Sequence, residues 1–152
     1  MMRIEEEIKQ TRFNSEHHKL VLNLIYTNSW LEASTKNIVS KYKITIPQFN
    51  ILRILKGSAP TPLSPQDIKS VMIEKKTDLT RMLDRMLSKN LIDRSICPSN
   101  RRKMDITITQ EGVSLLEEIN PQIAAATEEK IEKNISEEEA IQANIILDRL
   151  RG

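Results

Sequence analysis

What the chain lacks narrows its function first. It holds a single cysteine, Cys97, among 152 residues. An intrachain disulfide framework is therefore excluded, and a reducing, cytoplasmic setting is expected. One cysteine and two histidines, His17 and His18, cannot fill a four-ligand zinc site without carboxylates. On a helix those adjacent histidines point about 100° apart, a poor chelate, so no metal is expected. Three glycines, Gly57, Gly112 and Gly152, leave no phosphate-cradling loop. There is no nucleophile–base set either, so neither an enzyme nor a bound cofactor is expected. No apolar run approaches the ~18 residues of a membrane span. The segment Met1–Glu7 is acidic and lacks the apolar stretch of a signal peptide. Aromatics are 3% of the chain, and the apolar residues are mostly Ile, Leu and Met, which suits a helical core.

Against these absences, helix punctuation is abundant. Thr45-Ile46-Pro47-Gln48 and Ser136-Glu137-Glu138-Glu139 are capping boxes, in which side chains satisfy the orphan amides of a first turn. Ser64-Pro65 sets an N-cap before a first-turn proline. Thr77 is placed to cap a helix running through Ser88, and Asn90 to take the left-handed turn that ends it. Leu79, Met82, Leu83, Met86 and Leu87 form one apolar stripe. Short helices are also marked by Ile51, Leu52, Ile54 and Leu55, and by Ile68, Val71 and Met72. Leu20 to Val39 reads as one long helix, and two helices fit after Glu111, on either side of Asn134-Ile135-Ser136.

One segment has a different period. Met104-Asp105-Ile106-Thr107-Ile108-Thr109 alternates apolar and polar, as a half-exposed strand does, and Leu91–Ile96 can pair with it. The basic tip Cys97-Pro98-Ser99-Asn100-Arg101-Arg102-Lys103 lies between them. Three short helices followed by a hairpin make a winged helix-turn-helix. The expected fold is thus mainly α with a small β-hairpin wing, flanked by further helices.

The net charge of +2 conceals a division. Residues 45–110 hold twelve basic and six acidic side chains, net +6; residues 111–152 hold four and ten, net −6; residues 1–44 are +2. A basic module of this shape is the footprint of DNA binding, because phosphates release counterions to Lys and Arg.

Residues 45–112 resemble the MarR family of multiple-antibiotic-resistance-type transcriptional regulators. Thr77-Asp78-Leu79-Thr80-Arg81-Met82-Leu83-Asp84-Arg85-Met86-Leu87 is similar to the family's recognition helix, and Leu91-Ile92-Asp93-Arg94 to its first wing strand. Ile108-Thr109-Gln110-Glu111-Gly112 matches its strand-to-helix signature. Asn100-Arg101-Arg102 stands where the family has Asp-Arg-Arg; Asn100 there accepts a hydrogen bond without charge assistance. Asn90 replaces a glycine, a mild change in a left-handed position.

The resemblance implies a repressor-type regulator in three parts: an N-terminal helix contributing to dimerisation (1–44), a winged helix-turn-helix DNA-binding domain (45–110) and C-terminal dimerisation helices (111–152). Double-stranded DNA with a pseudo-palindromic operator is the implied partner, since a two-fold dimer reads half-sites about 10 bp apart. Lys76, Thr77, Asp78, Thr80 and Arg81 would meet the major groove, Arg81 reading guanine and Thr80 a base edge or thymine methyl. Lys75, Lys76 and Arg85 would hold phosphates. Arg102 would enter the minor groove, flanked by Arg101 and Lys103.

Ile119, Ile123, Ala126, Ile131, Ile135, Ile141, Ile145 and Leu150 could form the homodimer seam or close a protomer core. Tyr26 and Trp30, one helical turn apart, are candidates to line a site for a small aromatic or phenolic effector; core or dimer packing is the alternative. Cys97 beside Arg94, Arg101 and Arg102 reads as a redox sensor or an incidental thiol. The competing function is a winged-helix protein–protein interaction module that does not bind DNA, which salt dependence of binding would separate.

Overall fold

The computed structural model describes residues 3–73, 78–97, 100 and 103–152. The elements run α1 (Ile4–Glu7), α2 (Glu16–Val39), a 3-10 turn (Ser40–Tyr42), α3 (Ile46–Ser58), α4 (Pro65–Val71), α5 (Leu79–Leu87), β1 (Ile92–Ile96), β2 (Met104–Ile108), α6 (Gln110–Ala126), α7 (Glu128–Glu132) and α8 (Glu137–Arg151). The expected class, mainly helical with one small hairpin, is the class observed.

Most elements begin where a side chain satisfies their first amides. Thr45 and Gln48 close a capping box on α3, Ser64 and Asp67 on α4, and Ser136 and Glu139 on α8. Asn90 holds the left-handed backbone at φ 56° that turns the chain from α5 into β1. The long helix starts at Glu16 rather than Leu20, because the Ser15 hydroxyl accepts from the His18 amide.

Two local readings are corrected. Helix α5 is capped by Asp78, whose side chain accepts from the Arg81 amide, and not by Thr77, which lies outside the described residues. A carboxylate is favoured there because it meets the positive end of the helix dipole as well as the amide. The segment after Glu111 forms three helices, not two. The break comes at Thr127, whose hydroxyl and amide both donate to the Ile123 carbonyl, at 2.8 and 2.9 Å, while its backbone leaves helical geometry.

The hairpin is antiparallel, with Ile92 opposite Ile108 and Arg94 opposite Ile106. Leu63, in the α3–α4 connection, adds a single β-bridge to the outer side of β2. Its amide donates to Ile106 O (3.1 Å) and the Ile106 amide donates back (2.9 Å). By its sequence alone this stretch reads only as a connection.

One core cluster runs from the end of α2 to α6: Ile38 and Val39 of α2, Leu52 and Leu55 of α3, Ile68 of α4, Leu83 and Met86 of α5, Ile92 and Ile106 of the hairpin, and Leu116 and Ile119 of α6. Ile119 is fully buried here, and Ile123 and Ala126 pack against the same cluster, so these three close the protomer core. Ile131, Ile135, Ile141, Ile145 and Leu150 are exposed, and α8 buries none of its residues.

Candidate nucleic-acid interface

Helix α5 is strongly amphipathic. Leu79, Met82, Leu83 and Met86 are buried, which anchors the helix on its apolar side. The same packing turns Thr80, Arg81, Asp84 and Arg85 outward. The Asp78 cap uses one carboxylate oxygen on the Arg81 amide at 3.2 Å, so Asp78 organises the first turn that displays Thr80 and Arg81. The Arg81 guanidinium has no ion pair among the described residues.

The wing leaves the body just beyond the buried pair Ile92 and Ile106. At its tip the Asn100 amide donates to Cys97 O (3.1 Å), the Lys103 amide to Asn100 O (2.8 Å), and the Cys97 amide to Lys103 O (3.0 Å). Lys103 is exposed at the base of this turn. Lys75, Lys76, Thr77, Arg101 and Arg102, named from the sequence, lie outside the described residues.

Two polar contacts around the wing went unassigned in the sequence reading. The Asp67 carboxylate is held below its ordinary pKa of 3.8, first by the Ser64 hydroxyl, then by the Ser64 amide, with a through-space contribution from the Lys103 ammonium. The wing base and the N-terminus of α4 are thus electrostatic neighbours. Arg94 of β1 pairs with Asp84 of α5. The Ser-Pro-Gln-Asp spacing could have disclosed Asp67 as a box partner; nothing local links positions 84 and 94.

A cleft of about 570 Å³ runs between α2 and the start of α3, lined by Ser29, Glu32, Lys36, Val39, Ile44 and Ile46 among others. A smaller one of about 270 Å³ adjoins it, bounded by Asn28, Phe49, Arg53 and Met72 among others. Tyr26 and Trp30 line neither. Both are partly exposed, and the Tyr26 hydroxyl donates to Glu7 Oε2 at 2.6 Å. Among the described residues no cluster of three or more His, Cys, Asp or Glu could hold a metal, and no helix is long and apolar enough to cross a membrane.

Known proteins share both the sequence pattern and this geometry. A model of the MarR family matches residues 44–104. Multiple antibiotic resistance protein MarR of Salmonella typhimurium is 27% identical over 128 residues, covering 84% of this chain and 88% of that protein. HTH-type transcriptional regulator MhqR of Bacillus subtilis is 30% identical over 112 residues, 74% of this chain and 75% of MhqR. The crystal structure of a cysteine-to-serine mutant of MarR from Escherichia coli, complexed with operator DNA, superposes with a TM-score of 0.77 at 23% identity and shares the fold over 92% of this chain and 99% of that one. With a winged helix-turn-helix in place and this identity extending over three quarters of a curated regulator, the chain is a member of the MarR family of transcriptional regulators.

Proposed function

We propose that the chain acts in the cytoplasm as a homodimer that binds a pseudo-palindromic duplex operator and releases it in response to a small aromatic or phenolic molecule. The observation that carries DNA binding is the exposed edge of α5. Its first turn is capped and anchored, it presents Thr80 and Arg81 without a carboxylate partner for Arg81 among the described residues, and it sits in a segment of net charge +6. Thr80 and Arg81 read bases in the major groove; Lys75, Lys76 and Arg85 hold phosphates. Arg102, flanked by Arg101 and Lys103, enters the minor groove.

The dimer is supported by what the protomer leaves uncovered. Val21, Ile25, Ile141, Ile145 and Leu150 are each about half exposed or more. A 15-residue helix such as α8, with no fully buried residue in its own protomer, is marginal by itself in water, and a second copy supplies the missing surface. Two reading heads of +6 then face DNA together. The effector reading draws on the α2–α3 cleft, which combines Val39, Ile44 and Ile46 with the polar Glu32 and Lys36. Tyr26 is engaged by Glu7 of α1, and neither it nor Trp30 lines this cleft.

The test is a titration of duplex DNA, selected for tight binding from a random-sequence pool, across a salt series. Affinity should fall steeply between low and moderate salt. Arg102→Ala should cost about tenfold or more, on the scale of ~1–3 kcal/mol per specific contact. Absence of duplex binding, or binding indifferent to salt, would leave the protein-interaction module as the better reading.

A further inference from the structure

We infer that Asp84 and Arg94 form a positioning pair that sets the angle of the wing against the reading helix, so that Arg94 serves DNA binding through α5 rather than by touching DNA. The inference rests on the DNA-binding reading above for its consequence, but not for its geometry.

In an antiparallel pair, residues directly opposite share a face and successive residues alternate. Ile92, Arg94 and Ile96 therefore lie on one face of the hairpin, with Ile108, Ile106 and Met104. That face is the core face: Ile92 is 1% exposed and Ile106 is fully buried. Two residues past Arg94, Ile96 is already 60% exposed, so the hairpin leaves the body between them. Arg94 occupies the last core-side position of β1 before the free wing. Its guanidinium turns to Asp84 Oδ1 at 2.5 Å, with the two side chains 30% and 57% exposed. The other strand is held at the same level, where Ile106 exchanges two backbone hydrogen bonds with Leu63. The hairpin is thus tied to the body on both strands at one level, and of these two ties the one through Arg94 runs to the reading helix.

Asp84 also sits between the cations of α5, three residues after Arg81 and next to Arg85. At i−3, Arg81 is the natural in-helix partner of an unpaired Asp84. Engaging Asp84 from the strand leaves Arg81 available and neutralises an acid on the face that meets phosphate.

The pair makes opposite predictions for its acid member. If Asp84 were only a surface charge, removing it would strengthen DNA binding; if it positions the wing, removing it weakens binding. Anisotropy titrations would use the same selected duplex with Asp84→Asn, Arg94→Gln, the double variant, and the exchanged pair carrying Asp84→Arg with Arg94→Asp. Each single variant should weaken binding about fivefold, the scale of a good half-exposed ion pair. The double variant should be no weaker than either single, and the exchanged pair should recover part of the loss. Tighter or unchanged binding by Asp84→Asn overturns the inference, as do single losses that multiply in the double variant. Amide exchange measured without DNA supplies an independent readout: both single variants should exchange faster at residues 104–108, and unchanged exchange there overturns the pin whether or not the protein binds duplex. A wild-type chain that binds no duplex would instead refute the DNA-binding reading, with the exchange data still deciding the pin.

Discussion

At the scale of single residues, Gly112 has the least room of the three glycines. A Cβ built there would stand 2.3 Å from the Leu91 carbonyl oxygen and 2.8 Å from Ile108 Cγ1. The first neighbour is backbone, so it cannot rotate away. Next to it, the Thr109 hydroxyl donates to Asn90 O (2.7 Å) and accepts from the Gly112 amide (3.0 Å). The end of the reading helix, the exit of the wing and the start of α6 therefore meet within a few ångströms. Gly112→Ala should destabilise the protomer by about 1–3 kcal/mol, the usual cost of overpacking, read as a lower denaturation midpoint in urea. A midpoint equal to the wild type would show that α6 can move off β1 without loss.

At the scale of elements, α1 is held on α2 largely by polar contacts. The Lys19 ammonium meets Glu5 Oε1 at 2.5 Å, Tyr26 donates to Glu7, and Ile4 is buried. The Lys19 hydrogen bond holds the Glu5 carboxyl below its ordinary pKa of 4.5. The Glu7 hydrogen bond holds the Tyr26 phenol above its ordinary 10.0. A carboxyl lowered on docking favours docking above its free pKa and loses that contribution as pH falls. A phenol raised on docking favours docking below its free pKa and loses that contribution as pH rises. Docking of α1 should therefore be firmest between about pH 5 and pH 9 and loosen at both ends. Amide exchange at Ile8, whose N–H donates to Ile4 O, would report it once corrected for intrinsic rates. Protection that stays unchanged as the pH is taken below this range and above it would remove Glu5 and Tyr26 from the docking contact. Elsewhere, Tyr42 donates to Glu118 and ties the 3-10 turn after α2 to α6, a contact between elements far apart in sequence.

At the scale of the whole molecule, the acidic C-terminal part carries a set of uncovered apolar residues of its own, apart from the cationic segment. The cations gather in residues 45–110, while the exposed Ile141, Ile145 and Leu150 lie on the acidic C-terminal part. In the proposed dimer the second group meets its copy while the first remains free for DNA. Ile145 is 47% exposed in the protomer, so Ile145→Glu leaves the protomer core untouched and places a charge in the seam. Sedimentation at micromolar concentration should then show monomer, with operator affinity reduced because two half-sites are no longer bound together. A dimer that persists would move the seam away from α8.

The sequence by itself determined whatever depends on near neighbours. Capping at Thr45, Ser64 and Ser136, the left-handed turn at Asn90, the apolar stripe of α5 and the alternation of β2 are decided within one or two turns of chain, where residue type and spacing act directly. Family membership was legible for the same reason, since its signatures are short runs in order. The cap of α5 fell one residue from its expected place because Thr77 and Asp78 are both good caps, and local rules do not choose between them. What only the tertiary structure decided are contacts between distant positions. Leu63 joins the hairpin, Arg94 finds Asp84, Gly112 must be small because Leu91 passes over it, and Ile119 is core while Ile145 is surface. A periodic pattern states that a helix has an apolar face. Which neighbour covers that face depends on how all the elements pack, and this packing separates the residues that close the protomer from those left for a partner.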